Sequence, residues 1–337
     1  MDSTTILVLV VVGAAHAFDF INGFHDAANS IATLVSTRVL TPQVAVVWAA
    51  LFNFAALAIF DLHVASTIGK GIIDPAIVDA PTIIGALTGA IIWNLLTWYW
   101  GLPSSSSHAL VGGLVGAGLC KGGFAVLGWS KITMTLAFIM ISPAVGLVAA
   151  ATVMVATSWL LRKASPGKVN SGLRPLRFAS AAWYSLGHGA NDAQKTMGII
   201  VVFLFSQGLL GDTFPEAHEI PFWIVFSCYG AMGLGTLCGG WRIVKTMGMR
   251  LTKLGTHGAF SAEVGGAVAL TLASELGIPV STTHTITGAI VGSGVVSGTG
   301  RVRWALASRI VWAWIFTIPA AGIMSALAYF AAKAILS

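Results

Sequence analysis

Long stretches of this sequence carry no charged residue. Asp, Glu, Lys and Arg are absent from Val39 to Phe60, Ala80 to Cys120, Ile132 to Leu161, Phe222 to Cys238, Leu276 to Gly300 and Ile310 to Ala332. About 20 helical residues cross the hydrocarbon core of a bilayer, where a charge is costly. Only 9% of the 337 residues are charged, against about 25% in soluble domains. The chain is therefore predicted to be an all-α polytopic membrane protein.

The charged loops predict how the chain is oriented. Arg162 to Arg177 and Gly239 to His257 contain Lys and Arg but no acid, whereas Asp61 to Ala80 and Gly208 to Pro221 are acidic. Because basic loops stay on the cytoplasmic side, the first two are predicted inside and the other two outside. Alternating passes then place both termini outside. This reading also explains the formal net charge of +6 without a nucleic-acid partner.

Two motifs occur once in each half of the chain. Gly23 to Ser30 aligns with Gly189 to Thr196, and Gly101 to His108 aligns with Gly277 to His284. Each half has an odd number of predicted membrane segments, so the second copy is predicted to be inverted, as in many secondary transporters. The predicted domains are a first inverted repeat over 1–161, a basic cytoplasmic linker over 162–177 and a second inverted repeat over 178–337. Each repeat is predicted to contain a broken helix and a Ser/Thr-rich re-entrant hairpin segment.

Two carboxylates lie in the middle of apolar segments. Asp26 lies within Ile6 to Val35, and Asp192 lies within Phe178 to Leu210. An acid inside a membrane segment is a functional hypothesis by default. The neighbouring glycines, Gly23 and Gly189, are predicted to open the helices, so that carbonyl and side-chain oxygens could bind a small cation. A proton could use the same carboxylates. The predicted cation-coupling residues are Asp26, Asn29, Asn191, Asp192 and Glu263.

The two Pro-Ser/Thr-His stretches have a different chemistry. Proline favours the first turn of a helix, and the hydroxyl and amide groups that follow lie where the helix dipole is positive. This arrangement is typical of an oxyanion site, and two copies from inverted halves could converge at one depth. Bare carboxylates would repel the anion, so a cation is expected to travel with it. The predicted anion-binding residues are Ser105, Ser106, Ser107, Ser281, Thr282, Thr283 and Lys195.

For several polar residues, the sequence allows two different roles. Lys195 could be the ion-pair partner of a neighbouring Asp or contact the anion directly. Glu263 could serve the cation site or a proton relay, or it could be a structural hydrogen-bonded acid. Asp19 could be a second acid of the site or a group that faces the vestibule. His108 and His284 are predicted to fix the hairpin geometry rather than bind a metal, because no other ligand follows at metal-site spacing.

Together, the four motifs resemble those of the inorganic phosphate transporter (PiT) family over nearly the whole chain. The resemblance implies a symporter that imports phosphate with Na+ or H+, has no other cofactor and forms a homodimer. It assigns the Asp and Asn residues of the first motif pair to the cation and phosphate site, where Asp26 and Asp192 would bind Na+, and the Ser/Thr residues of the second pair to phosphate. His25 stands where the family commonly has Asn, which could favour protons.

Other functions fit parts of the pattern. A sulfate permease would need the same donors, although phosphate has a proton to donate to a carboxylate and sulfate has none. In a passive anion channel, a pair of carboxylates at the midplane would hinder anion conduction. A membrane enzyme with Ser-His-Asp chemistry is disfavoured because adjacent Ser107 and His108 point to different helix faces. We therefore expect a non-enzymatic transporter in a bacterial inner membrane, whose substrate is free phosphate or a metal-phosphate complex.

Overall fold

The computed structural model describes residues 2–211 and 213–336, which form twelve α-helices and no β-strand. Asp212, one acid of the predicted outer loop Gly208 to Pro221, lies outside the described residues. The helices are α1 (Ser3–Ser36), α2 (Pro42–Ala55), α3 (His63–Gly71), α4 (Ala80–Trp100), α5 (Ser106–Gly122), α6 (Trp129–Leu160), α7 (Pro166–Ser206), α8 (Phe222–Cys238), α9 (Trp241–Val244), α10 (Thr256–Glu275), α11 (Thr282–Ser297) and α12 (Trp304–Leu336). Helix α9 continues into a π-helical segment, Lys245–Leu251.

Capping residues in the sequence account for several helix boundaries. The side chain of Asp79 accepts a hydrogen bond from the amide of Thr82 at the start of α4, which satisfies one of the free N–H groups of the first turn. Ser105 and Ser281 do the same for α5 and α11. Gly101 ends α4 with φ at 65°, a left-handed conformation that glycine adopts without strain.

Within the part of the chain that the structure describes, five helices are long and apolar enough to cross a membrane: Thr4–Ser36, Ala80–Trp100, Ser106–Val126, Trp129–Leu160 and Trp304–Leu336. Two bent helix pairs would add two spans if each pair crosses the membrane once. In the first, Pro42–Ala58 meets His63–Gly69 at 84°, and in the second, Phe222–Cys238 meets Trp241–Leu251 at 62°. The run Ala80 to Cys120 forms two helices that meet near Pro103, as predicted. The prediction of an all-helical polytopic membrane protein is confirmed.

The helix breaks do not lie where the glycines were expected to open them. Helices α1 and α7 are continuous through Gly23 and Gly189, so that prediction is wrong. A Cβ at Gly23 would lie 2.1 Å from the carbonyl oxygen of Met232, and one at Gly189 would lie 2.3 Å from that of Asn53. These glycines therefore allow α8 to approach α1 and α2 to approach α7. The bends occur instead after α2 and α8.

The last helix of each half packs against the other half. Helix α12 packs on α4 and α5, and α6 packs on α10 and α11. Glycines allow both contacts: a Cβ at Gly116 would lie 2.1 Å from the Gly322 carbonyl oxygen, and one at Gly292 would lie 2.2 Å from that of Leu147. The contact of α12 with α4 and α5 thus has a counterpart in the contact of α6 with α10 and α11. The inverted orientation of the repeats stays a prediction.

The predicted linker over residues 162–177 is mostly helical. Helix α6 ends at Leu160, and α7 begins at Pro166, so the basic segment forms the first turns of a 41-residue helix. Pro166 suits the first turn of α7, because an N–H group at this position would have no acceptor within the helix and its absence costs nothing. Arg177, at the end of this basic segment, is fully buried. The chain therefore passes from one half to the other through a short turn.

Candidate functional site

The two predicted midplane carboxylates meet between α1 and α7. One ligand atom each from Asp26, His188 and Asp192 lies within 4.8 Å of the others, and all three side chains are buried. The helices are antiparallel: Thr4, near the start of α1, and Gln207, just after α7, line the same surface cavity. Because both acids lie far from the helix ends, the cluster is deep inside the bundle.

Asp26 is held by its neighbour in the sequence. His25 Nδ1 lies 2.5 Å from Asp26 Oδ1, and His25 Nε2 lies 3.2 Å from the hydroxyl oxygen of Thr97 on α4. Both side chains of the His-Asp pair are buried. The imidazole therefore connects the carboxylate on α1 to the end of the first hairpin, α4–α5.

Asp192 has three polar neighbours. Lys195 Nζ donates to Asp192 Oδ1 at 2.7 Å, and the Thr282 hydroxyl donates to Oδ2 at 2.9 Å. His188 Nε2 lies 3.2 Å from Oδ2. His188 precedes Asp192 by four residues and is therefore on the same helix face. This carboxylate is thus linked to the start of α11 in the second hairpin, α10–α11.

Lys195 joins the tips of both hairpins. Its ammonium group donates to Ser107 Oγ at 2.6 Å and to the carbonyl oxygen of Val280 at 2.7 Å, in addition to Asp192. An ammonium group has three donors, so all three are used. Of the two predicted roles, the ion pair with Asp192 is present. The same ammonium lies at the N-termini of α5 and α11.

The starts of α5 and α11 have the same construction. Ser105 Oγ accepts from the amide of His108 at 3.1 Å, and Ser281 Oγ accepts from that of His284 at 3.2 Å. These caps leave the first two amides of each helix without an intrahelical acceptor. The His108 and His284 rings are 4.8 Å apart, and His284 stacks on Trp314 at 3.9 Å. The imidazoles thus pack where the two hairpin tips meet.

The remaining amide and hydroxyl groups surround the same point. Asn29 Nδ2 donates to the hydroxyl oxygens of Thr283 at 2.9 Å and Thr282 at 3.3 Å. Asn191 Nδ2 donates to the carbonyl oxygen of Ile278 at 3.3 Å. The Oδ1 atoms of both asparagines and Ser106 Oγ are buried and have no hydrogen-bond partner among the described residues. These three oxygens are available to a ligand.

Glu263 is bonded to residues outside this cluster. Arg177 donates to Glu263 Oε1 at 2.5 Å, and Ser180 Oγ donates to Oε2 at 2.5 Å. Both carboxylate oxygens are therefore engaged by groups on α7. None of the contacts described for Glu263 is with Asp26 or Asp192.

Two residues of the site region escaped the sequence interpretation. His188 could have been found, because it lies four residues before Asp192 and one helix turn brings the two together. Arg177 was assigned to a basic loop, and no local pattern indicates its partner, 86 residues away in the sequence. Only the packing of α7 against α10 reveals that ion pair.

The cluster combines an anion site with excess negative charge. Two helix N-termini, free hydroxyl and amide groups and one ammonium favour a bound oxyanion. Asp26 and Asp192 together carry one more negative charge than Lys195 balances when the histidines are neutral. In a buried region with little water, that excess opposes an anion unless a cation is also bound. The geometry therefore suits the joint binding of an oxyanion and a cation.

Comparisons with known proteins agree in fold and family. The profile described as "Phosphate transporter family" matches residues 22–325. A "Probable low-affinity inorganic phosphate transporter" of Rhizobium meliloti is 58% identical over 98% of this chain and 99% of its own length. A protein of the same name from Bacillus subtilis is 40% identical over 98% of both chains. A solved structure named "The sodium-dependent phosphate transporter" superposes with a TM-score of 0.87 at 24% identity, covering 98% of this chain and 100% of the other.

Proposed function

This chain belongs to the phosphate transporter family, and from that premise we propose that it imports inorganic phosphate by symport with a cation, Na+ or H+. The family and its relatives are transporters, so the chain is a transporter and not an enzyme. The observation that carries the proposal is the contact of Lys195 with Ser107, Val280 and Asp192, because it links the anion-binding helix ends to a carboxylate.

Phosphate is proposed to bind where α5 and α11 begin. The free amides of Ser106, Ser107, Thr282 and Thr283 and the unpartnered Ser106 hydroxyl would donate to its oxygens. Ser105 and Ser281 would contribute as helix caps, which keep those amides in position. Lys195 would stabilise the bound anion by its charge and would exchange one of its present acceptors for a phosphate oxygen.

The coupling cation is proposed to bind at Asp26 and Asp192. Their carboxylates lie within reach of one ion together with His188, and the free Oδ1 atoms of Asn29 and Asn191 add neutral oxygens of the kind that Na+ prefers. The similarity to a sodium-dependent transporter supports Na+, whereas the contact of His25 with Asp26 supports H+, because an imidazole can hold a proton. The contacts of Glu263 favour a structural role for that acid.

The electrostatics explain why the two ligands would move together. Phosphate adds negative charge to a buried cluster that is already negative, so its binding strengthens when a cation neutralises a carboxylate. The reverse holds as well, because coupling between two sites is reciprocal. A gradient of the cation would then drive phosphate uptake.

The location and assembly are part of the same proposal. The bacterial relatives and the helices long enough to cross a membrane support a multi-pass protein of the plasma membrane. We place both termini outside on the loop charges. Assembly as a homodimer and transport of a metal-phosphate complex instead of free phosphate stay predictions.

Uptake of labelled phosphate into proteoliposomes tests the proposal. Sodium and proton gradients are imposed in turn on the wild type, Asp26→Asn and Asp192→Asn. Asp61→Asn is the matched control, because Asp61 is an exposed acid outside the cluster, with its side chain 83% exposed. Accumulation driven by one gradient, lost in both cluster variants and kept in the control, supports symport and identifies the ion. Downhill flux that ignores both gradients contradicts symport and indicates a channel.

A further inference from the structure

A surface cavity outside the proposed site is lined by four basic side chains. They are exposed and belong to Arg250, Lys253, Arg301 and Arg303, which surround a cavity of about 440 Å³ together with Thr252 and Gly300. None of these lining residues is acidic. The volume lies within the range of about 300–1,000 Å³ that small-molecule sites occupy. The cavity therefore concentrates positive charge in a space large enough for a small ligand.

Two segments that lie about 50 residues apart in the sequence build this cavity. The amide of Arg303 donates to the carbonyl oxygen of Leu251 at 3.0 Å, and Thr252 forms an antiparallel β-bridge with Val302. Both bridge residues pack on Gly294 of α11, where a Cβ would lie 2.7 Å from Thr252 Cγ2 and 3.0 Å from Val302 Cγ2. The preference for basic loops inside accounts for the charges of a single segment. The bridge is what brings the charges of both segments to one cavity.

No carboxylate balances these charges. Within the described part of the chain, none of the four basic side chains forms an ion pair. From Pro221 to the C-terminus, the sequence has two acids, Glu263 and Glu275. Glu263 is paired with Arg177, and Glu275 ends the 20-residue helix α10, about 30 Å from the start of that helix. The positive charge of the cavity is therefore open to an anion from outside the chain.

The helix ends near the cavity do not supply this anion. Lys253 lies three residues before the start of α10 at Thr256, and Arg303 directly precedes α12. Helix starts carry partial positive charge, so a cation is unfavourable there. The end of α11 at Ser297 offers about half a negative charge. Because four like charges at short range repel one another, a bound anion would stabilise the cavity.

A buried hydroxyl provides a second, independent observation. Thr252 lines the cavity and is 1% exposed. Its Oγ1 atom is buried and has no hydrogen-bond partner among the described residues. Buried polar atoms without a partner are rare in folded proteins. The hydroxyl is therefore available to donate to an oxygen of a ligand.

The first half of the chain has a similar junction in which charges are paired. There, Ile73 forms a β-bridge with Leu127. The two segments that meet at this bridge also carry Asp79 and Lys121, which form an ion pair. The bridge therefore does not require unpaired cations, and those of the second half need another explanation.

We propose that this cavity binds the phosphate groups of an anionic ligand, either the headgroup of an anionic lipid or a soluble phosphorylated compound. Arg250, Arg301 and Arg303 would bind phosphate oxygens through paired N–H donors, and Lys253 would add a further charge. Thr252 would donate its hydroxyl. The loop Gly239 to His257 is predicted inside, so the cavity would face the cytoplasm.

The surroundings favour a lipid as the source of the phosphate. Trp304, next to Arg303, is 54% exposed, and exposed tryptophans are typical of the membrane–water interface. Basic pockets at this level bind lipid headgroups. The cavity lies beyond the end of the 16-residue helix α11, about 24 Å from the proposed phosphate site at its start. The inference therefore does not depend on the proposed symport.

Binding to the purified protein in neutral detergent tests the inference in two arms at constant ionic strength. The melting temperature is measured against the fraction of phosphatidylglycerol in phosphatidylcholine micelles, and separately against pyrophosphate concentration. The double variant Arg301→Gln with Arg303→Gln is compared with the matched control Lys163→Gln with Arg174→Gln, two exposed positions of the other basic segment. We expect the amount of ligand for half of the stabilisation to rise about tenfold in the double variant, which corresponds to roughly 1.4 kcal/mol. The control should keep the wild-type value.

A third variant, Thr252→Val, separates a built site from attraction to surface charge. It removes the buried hydroxyl and leaves every charge in place, and we expect a rise of about fivefold for the loss of one hydrogen bond. A wild-type value in Thr252→Val would indicate attraction to charge alone and would overturn the inference.

The two arms identify the source of the phosphate group. A shift of the double variant with phosphatidylglycerol alone supports a lipid site, a shift with pyrophosphate alone supports a soluble ligand, and a shift in both supports recognition of the phosphate group itself. Equal values for the double variant and its control in both arms overturn the inference. Phosphate uptake is not measured in this experiment, so a failure of the symport proposal would be seen separately in proteoliposomes.

Discussion

Arg177 and Glu263 form a buried ion pair in which the guanidinium NH2 group lies 2.5 Å from Glu263 Oε1. Arg177 also donates to the hydroxyl of Thr37, which caps the end of α1. The pair therefore ties three helices, α1, α7 and α10, together. Because both side chains are almost fully buried, each charge depends on the other for compensation.

Removal of one partner of this pair should be more damaging than removal of both. Arg177→Met leaves the Glu263 charge uncompensated, and we expect a loss of about 3–5 kcal/mol. The double variant Arg177→Met with Glu263→Met should recover part of it, because no unpaired charge remains. Thermal unfolding in detergent measures both. Arg174→Met, at an exposed position of the same helix, is the control, and equal melting temperatures for the single and double variants would contradict the prediction.

Lys195 should be needed for both phosphate binding and the order of the hairpin tips. Lys195→Met removes the donor shared by Ser107, Asp192 and Val280 and leaves Asp192 without its ammonium partner. We expect phosphate uptake to fall by at least about a hundredfold, the factor for roughly 2.7 kcal/mol. Uptake by reconstituted protein is the measurement. Lys163→Met, at an exposed site, should transport normally, and substantial uptake by Lys195→Met would exclude a direct role.

His25 should influence which cation is coupled. His25→Asn retains a polar side chain next to Asp26 but removes the group that can carry a proton. We expect uptake driven by a proton gradient to decrease relative to uptake driven by a sodium gradient. Proteoliposomes with each gradient in turn measure the ratio. The same ratio in wild type and variant would assign His25 to packing against Thr97 alone.

The contact of α5 with α12 should not tolerate a methyl group. A Cβ at Gly116 would lie 2.1 Å from the Gly322 carbonyl oxygen, so Gly116→Ala forces the helices apart. We expect a loss of at least about 1–3 kcal/mol, as for overpacked cores, seen as a lower melting temperature. Gly13→Ala is the control, because no heavy atom lies within 4 Å of a Cβ there, and alanine should be neutral or stabilising in that helix. Equal melting temperatures for the two variants would rule out a tight contact at Gly116.

The base of the first hairpin should respond to acid. Burial raises the pKa of Asp79, but hydrogen bonds from Lys121 and Thr82 outweigh burial and hold the pKa below its ordinary value. A lowered pKa adds stability above the ordinary value, about 3.9, and this contribution is lost as the pH falls through the pKa in the folded protein. Lys121→Gln should therefore lower the melting temperature slightly at neutral pH and not at strongly acidic pH. A difference that persists unchanged in acid would show that the Lys121 charge is not its source.

Local patterns were sufficient to predict the fold class and most members of the candidate site. Uncharged runs indicate membrane helices because a charge in hydrocarbon is costly wherever it occurs along the chain. The duplicated motifs identified Asp26, Asp192 and both Ser/Thr stretches, which the structure brings together. His188 was within reach of the same reasoning, because a helix turn is a local property.

Other features depend on contacts between residues that are far apart in the sequence. A glycine in a helix can either open the backbone or allow a neighbouring helix to come close. Gly23 and Gly189 do the latter, as the nearby carbonyl groups of Met232 and Asn53 show. The ion pair of Arg177 with Glu263 and the packing of α6 and α12 against the opposite halves likewise depend on such contacts. The sequence by itself determined which residues must leave water, because transfer energies belong to each side chain. The tertiary structure decided which of them meet, because that depends on the packing of the whole bundle.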